Sequence, residues 1–97
     1  MKPFHFDPAA RPEMMETSEF YEARRKGLGK RFLTAVHAAA VMVQQTPKAF
    51  RAIEVGIRCS RVRRFPFGIV YREQDDAIEI LAVMHFKRRP GYWRDRK

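Results

Sequence analysis

The sequence predicts an α+β protein in which an N-terminal helical hairpin packs on an antiparallel β-sheet. Apolar residues recur at steps of three and four from Ala10 to Val43, and from Ile57 onward the period drops to two. A chain of 97 residues with one such change of period has room for one core, so residues 1–97 are expected to form a single domain. At 45% hydrophobic and 12% aromatic, the chain can bury enough apolar surface to offset its ordering entropy.

Met1 to Phe6 places Phe4 and Phe6 on one side and suits an opening strand. Asp7-Pro8 starts a helix: the carboxylate accepts an orphan amide, and proline at the first helical position gives up no bond. That helix is expected to run to about Lys26 and be capped by Gly27. Ala10, Met14, Thr17 and Tyr21 form its buried stripe, Phe20 widens it, and Glu13, Glu16, Glu19 and Glu22 take the remainder. A second helix sets Leu28, Phe32, Val36, Ala39 and Val43 on one face, with Leu33 and Ala40 alongside, and ends before Pro47. The short link makes the two helices antiparallel. Strands are expected at Ile57–Val62, Phe67–Arg72 and Ala77–Phe86. In the last, Ile78, Ile80, Ala82, Met84 and Phe86 should share one face, opposite Leu81 and Val83. The same alternation buries Phe67, Tyr71 and Phe86. The hairpin covers one face of the sheet, which leaves an apolar groove on the other as a docking surface.

Twenty basic against eleven acidic residues give a net charge of +9. Met1–Lys26 carries no net charge, Gly27–Gly56 carries +3 and Ile57–Lys97 carries +6, which assigns the positive field to the sheet half. Arg61, Arg63 and Arg64 form one cluster; Lys87, Arg88 and Arg89 begin another. Such runs are often only a solvated rim, but arginine's planar fork also suits carboxylate and phosphate partners. Tyr92 and Trp93 remain as aromatic candidates beyond the last strand, although packing on the sheet end explains Trp93 better than a partner does. A single cysteine, Cys59, allows no internal disulfide, and the longest apolar run, Ala38–Val43, is six residues. These features fit a soluble protein of the reducing cytoplasm without a membrane segment.

Much chemistry is excluded. His5, His37 and His85 make no metal-binding spacing with Cys59, so neither metal nor cofactor is expected. Gly27-Leu28-Gly29 lies between helices, without the lysine of a phosphate loop. Metal-free RNA cleavage needs an acid or base and cations near the scissile phosphate, and His85 with Lys87, Arg88 and Arg89, facing Arg61–Arg64, holds those ingredients.

The segments FDPAARPEM, FYEARRKGLGKRF, GIRCSRVRRFPFGIVYRE and LAVMHFKRRPGYWRDR resemble the RelE/ParE superfamily of toxins from type II toxin–antitoxin pairs. The likeness runs from about Phe6 to Arg96 and is most specific over Arg63–Arg72 and His85–Trp93. It implies a helical hairpin on a twisted antiparallel sheet, and a cognate antitoxin that wraps a flexible acidic segment around the toxin. The ParE-like branch implies growth inhibition through DNA gyrase; the RelE-like branch implies ribosome-dependent cleavage of messenger RNA. On the latter pattern the basic residue after the last strand corresponds to Arg88, the middle-strand arginine falls on Gly68, and the C-terminal tyrosine falls near Arg94 rather than Tyr92. The incomplete set favours the ParE-like branch, with Arg61, Arg63, Arg64, Arg72, Lys87, Arg88, Arg89 and Trp93 as residues for antitoxin or target. The nuclease alternative would use His85, Arg88 and Tyr92. A further alternative is a basic nucleic-acid-binding module without toxicity.

Overall fold

The computed structural model describes Met1–Lys97. In chain order the elements are β1 (Phe4–Phe6), α1 (Ala10–Arg24), α2 (Leu28–Gln45), β2 (Arg51–Glu54), β3 (Ile57–Val62), β4 (Phe67–Glu73) and β5 (Ile78–His85), followed by a 3₁₀ turn at Arg94–Arg96. The strands form one sheet in the order β1-β5-β4-β3-β2. The helical hairpin and three antiparallel strands stand where the hydrophobic periods place them. The sheet is nevertheless mixed, because β1 pairs parallel to β5. It also holds a strand that the period misses: β2 has only Ile53 as a large apolar residue, and its pairing with β3 slips between Ala52 and Glu54.

The helix ends differ from the expected ones. Asp7 does accept an amide, from Ala9 at 2.9 Å, but this closes a lead-in turn and the regular helix begins at Ala10. At the other end α1 stops at Arg24, because Arg25 is extended. Gly27 then turns the chain with φ 87° and begins α2. Glu22 closes this corner: its two carboxylate oxygens accept the amides of Gly27 and Gly29 at 2.9 and 3.0 Å. The hairpin is tight because Gly29 has no side chain; a Cβ there would strike the Ser18 carbonyl.

The sheet separates two apolar layers. On the helix side fourteen buried residues form the main core, among them Phe32, Val36 and Val43 of α2 against Phe67, Ile69 and Tyr71 of β4. On the other side a smaller layer joins Ile57, Val70, Leu81 and Ala82 beneath Trp93. The expected alternation along β5 breaks here. Val70 pairs with Ala82 but Tyr71 pairs with Ile80, so Leu81 is an extra residue, a β-bulge. Ile78, Ile80 and Val83 therefore meet the helices, while Leu81, Ala82 and Met84 face the tail. Phe86 lies past the strand end and is 43% exposed, not buried. Phe20 is also exposed, outside the α1 stripe.

Candidate partner-binding site

The open apolar surface lies beside α2 rather than across the far face of the sheet, which the chain's own tail partly closes. Two confluent grooves of about 720 and 610 Å³ run between α2 and the end of β3, sharing Ala35, Ala38 and Arg63. Their walls include Leu28, Phe65, Phe50 and the half-exposed Met42, and no carboxylate lines either groove. The small residues of α2 make the depression: alanine at 35, 38 and 39 leaves space that a longer side chain would fill. Its rim is cationic, with Lys30 and Arg31 at the start of α2, Arg61 and Arg63 on the β3 side, and Arg64 at the turn. None of these five has an acidic partner within ion-pair distance. Arg64 holds a left-handed φ of 71°, which bends the β3–β4 turn.

The remaining arginines and lysines singled out from the sequence line neither groove. Arg72 lies toward the opposite end of β4, bonded to Glu79 at 2.6 Å. Lys87, Arg88 and Arg89 do reach the β3–β4 end, since Phe86 donates its amide to Pro66 at 3.0 Å. They are separated from β3 by β4, and the link between the two clusters is Arg61, whose guanidinium sits 5.1 Å from the Phe86 ring centre. Trp93 is 2% exposed and packs on the sheet, so its ring anchors the tail instead of presenting itself to a partner.

Of the three nuclease candidates, the structure brings two together. Arg88 stacks 3.9 Å above the Tyr92 ring. His85 turns to the helix side, its ring edge-on to Phe67 at 4.9 Å, and its Nδ1 accepts the Lys87 amide. Gly68, at the middle-strand position, is closed by Cys59 and Phe86: a Cβ would come within 2.6 Å of the Cys59 sulfur and 3.0 Å of the Phe86 ring.

The residue that organises Arg88 and Tyr92 is Glu13, which the sequence period assigns to the outer face of α1. Its carboxylate accepts the Tyr92 hydroxyl at 2.6 Å, the Val83 amide at 2.9 Å and Arg96 Nη1 at 3.0 Å, and it pairs with Arg88 at 3.5 Å. β1 ends at Phe6, so β5 beyond Ile80 has an unpaired edge. Glu13 takes the Val83 amide of that edge, and Arg96 donates to its Leu81 carbonyl at 3.0 Å. Burial, then the Glu13 bond, pushes the Tyr92 hydroxyl well above its ordinary pKa, so it stays a donor. A second carboxylate, Glu54, holds the tail from the β2 side through Arg94 and Lys97, which keep it below the usual carboxylate range. No feature of a single sequence marks Glu13, since its partners lie 70 to 83 residues away.

A five-stranded sheet with one face under a helical hairpin, the other under a short basic tail, and an unpaired cationic groove beside the second helix define a small α+β protein. The family model described as the ParE toxin of the type II toxin–antitoxin system parDE matches residues 4–90, and the chain belongs to that family. It is similar to Toxin ParE2 of Mycobacterium tuberculosis, in strains CDC 1551 / Oshkosh and ATCC 25618 / H37Rv, at 29% identity over 80 residues, covering 81% of this chain and 76% of the relative. The fold matches a chain of the chromosomal ParDE TA system from P. aeruginosa with a TM-score of 0.63 at 18% identity, over 88% of this chain and 96% of that one. No helix is long and apolar enough to cross a membrane.

Proposed function

We propose that this chain is a growth-inhibiting, ParE-like toxin of the cytoplasm that acts on DNA gyrase and is neutralised when the flexible acidic segment of a cognate antitoxin lies along the α2 groove. The observation that carries the antitoxin part is the groove itself: an apolar floor edged by Lys30, Arg31, Arg61, Arg63 and Arg64, all lacking acidic partners. An amphipathic acidic segment satisfies both parts, apolar contact supplying affinity and the rim fixing register. The gyrase part rests on family membership and is tested directly. Antitoxin-free protein at micromolar excess should block gyrase supercoiling, and antitoxin should restore it; unchanged supercoiling removes gyrase as the target. Arg63→Glu with Arg61→Glu should weaken antitoxin binding at least tenfold without changing the unfolding midpoint.

A second reading, ribosome-dependent cleavage of messenger RNA, draws on the stacking of Arg88 over Tyr92. Against it stand the Tyr92 hydroxyl committed to Glu13, the absence of a cation at Gly68 and the opposite orientation of His85. Primer extension on translated messages after induction decides: discrete cuts that vanish with Arg88→Ala favour it, and intact messages remove it.

A further inference from the structure

Three chain segments far apart in sequence meet at one end of the molecule, and each brings cations. Arg24, Arg25 and Lys26 close α1; Arg64 lies in the β3–β4 turn; Lys87 and Arg89 follow β5. Tyr21 near the end of α1 lies 5.1 Å from Phe65, Gly27 and Arg64 line the same groove, and the Phe86 amide bonds to Pro66. These contacts hold the three segments together. All six cations are exposed and none has a carboxylate within 4.0 Å. The neighbouring acid Glu22 is exposed, but its two oxygens are occupied by the Gly27 and Gly29 amides. Within these segments only Arg88 is paired, to Glu13; the other paired cations sit elsewhere: Arg96 with Glu13, Lys2 and Arg72 with Glu73 and Glu79, Arg94 and Lys97 with Glu54.

We propose that this basic pole is a binding site for the phosphodiester backbone of nucleic acid, adjoining the groove for an acidic segment and sharing Arg64 with its rim. The six side chains project from turns and a helix end, with the apolar floor of the α2 groove to one side. A surface of charge without such a floor matches sugar–phosphate better than an amphipathic peptide. Four of the six are arginines, whose forked donors bind phosphate oxygens in pairs. Contacts of this kind position a protein on a strand without reading its sequence. The pole thus gives the toxin its own hold on nucleic acid, whatever target or antitoxin accompanies it.

The test uses the full chain and fluorescence anisotropy with a labelled mixed-sequence DNA duplex of about 20 base pairs, and a single strand of the same length. Six phosphate contacts give a plot of log affinity against log salt with a slope near −5, or about a thousandfold loss between roughly 50 and 200 mM salt. The triple variant Lys26→Gln, Arg64→Gln, Arg89→Gln removes one cation from each segment and should make the slope shallower by about 3. The triple variant Lys2→Gln, Arg94→Gln, Lys97→Gln lowers the net charge equally and should leave the slope unchanged. Circular dichroism checks that both remain folded. The duplex and single-strand arms tell which nucleic acid is held better. Equal loss in both triples would reduce the effect to net charge and overturn the site. So would no binding at 50 mM salt, or a poly-glutamate peptide that loses its binding in the first triple while DNA does not.

Discussion

The two faces of the sheet are held in different ways. On the helix side, the rings of Phe32, Phe65, Phe67 and Tyr21 meet edge to face, or tilted for Tyr21 on Phe32, with centres 5.1–6.3 Å apart, and the layer is closed by apolar contact. On the tail side five buried residues suffice, and the cover is pinned at its rims by Glu13 and Glu54. The first arrangement resists piecemeal opening because each ring packs on several others. The second is a strap over a small layer, and it belongs to the part of the molecule that opens at lower free energy. The chain's single tryptophan, Trp93, is the buried anchor of that strap and reports on it locally, whereas far-UV circular dichroism reports on the whole fold.

The largest effect is expected from Phe32→Ala, which empties the centre of the helix-side layer and should cost about 3–5 kcal/mol. Urea unfolding followed by circular dichroism and by Trp93 fluorescence should shift together; if only one probe moved, the helix side would not be the cooperative unit. Trp93→Ala removes an equally buried ring, but the strap can detach and limit the damage to roughly 2 kcal/mol. A dichroism midpoint shifted as far as by Phe32→Ala would show that both faces unfold as one and would dissolve the contrast. Glu13→Gln keeps one acceptor oxygen, for either Val83 or Tyr92, and loses the charge facing Arg88 and Arg96, costing about 1–2 kcal/mol. Trp93 fluorescence should then change at lower urea than the dichroism signal. Coincident transitions would deny Glu13 its part in holding the tail.

What the sequence reveals follows the same division. Periodicity records burial against the chain's own helices, so α1, α2, β3, β4 and the side chains of the main core are legible. It records little of elements held through backbone bonds. β2 has four residues and one large apolar side chain, and β1 joins a parallel neighbour that no local pattern announces. The bulge at Leu81 reverses the face of every later residue in β5, a change of one position that alternation cannot foresee. At the candidate site Arg61, Arg63 and Arg64 are visible as a charge run. Their companions Lys30 and Arg31 lie on a helix thirty or more residues earlier, and only the packing of α2 against β3 brings them to one rim. Glu13 reads as one of four glutamates spaced three apart on α1, and only the tail's return distinguishes it.

The smallest effect is also the one that separates the faces by pH. Tyr71 on the helix side is buried, donates to the Pro47 carbonyl at 2.6 Å, and has its pKa raised by burial to about 12; Tyr92 on the tail side is raised by burial and Glu13. A tyrosine whose folded pKa exceeds its unfolded value near 10 stabilises fully below that value and loses the contribution as pH climbs toward the folded pKa. The carboxylates behave oppositely: Glu54, lowered by Arg94 and Lys97, and Glu73, lowered by Lys2, stabilise above the ordinary carboxylate range and lose it as acid protonates them. Stability should therefore decline at both extremes. In acid the Glu54 ties release the strap, so Trp93 fluorescence should change before dichroism. In alkali both faces carry a tyrosine. Tyr71→Phe should cost about 1 kcal/mol at neutral pH through the lost hydrogen bond, and should flatten the fall of the dichroism midpoint between pH 10 and about 12. Tyr92→Phe should instead flatten the alkaline response of Trp93 fluorescence. If either variant flattened both signals, the two layers would be titrating as one unit, and the tail would be part of the main core rather than a strap laid across the sheet.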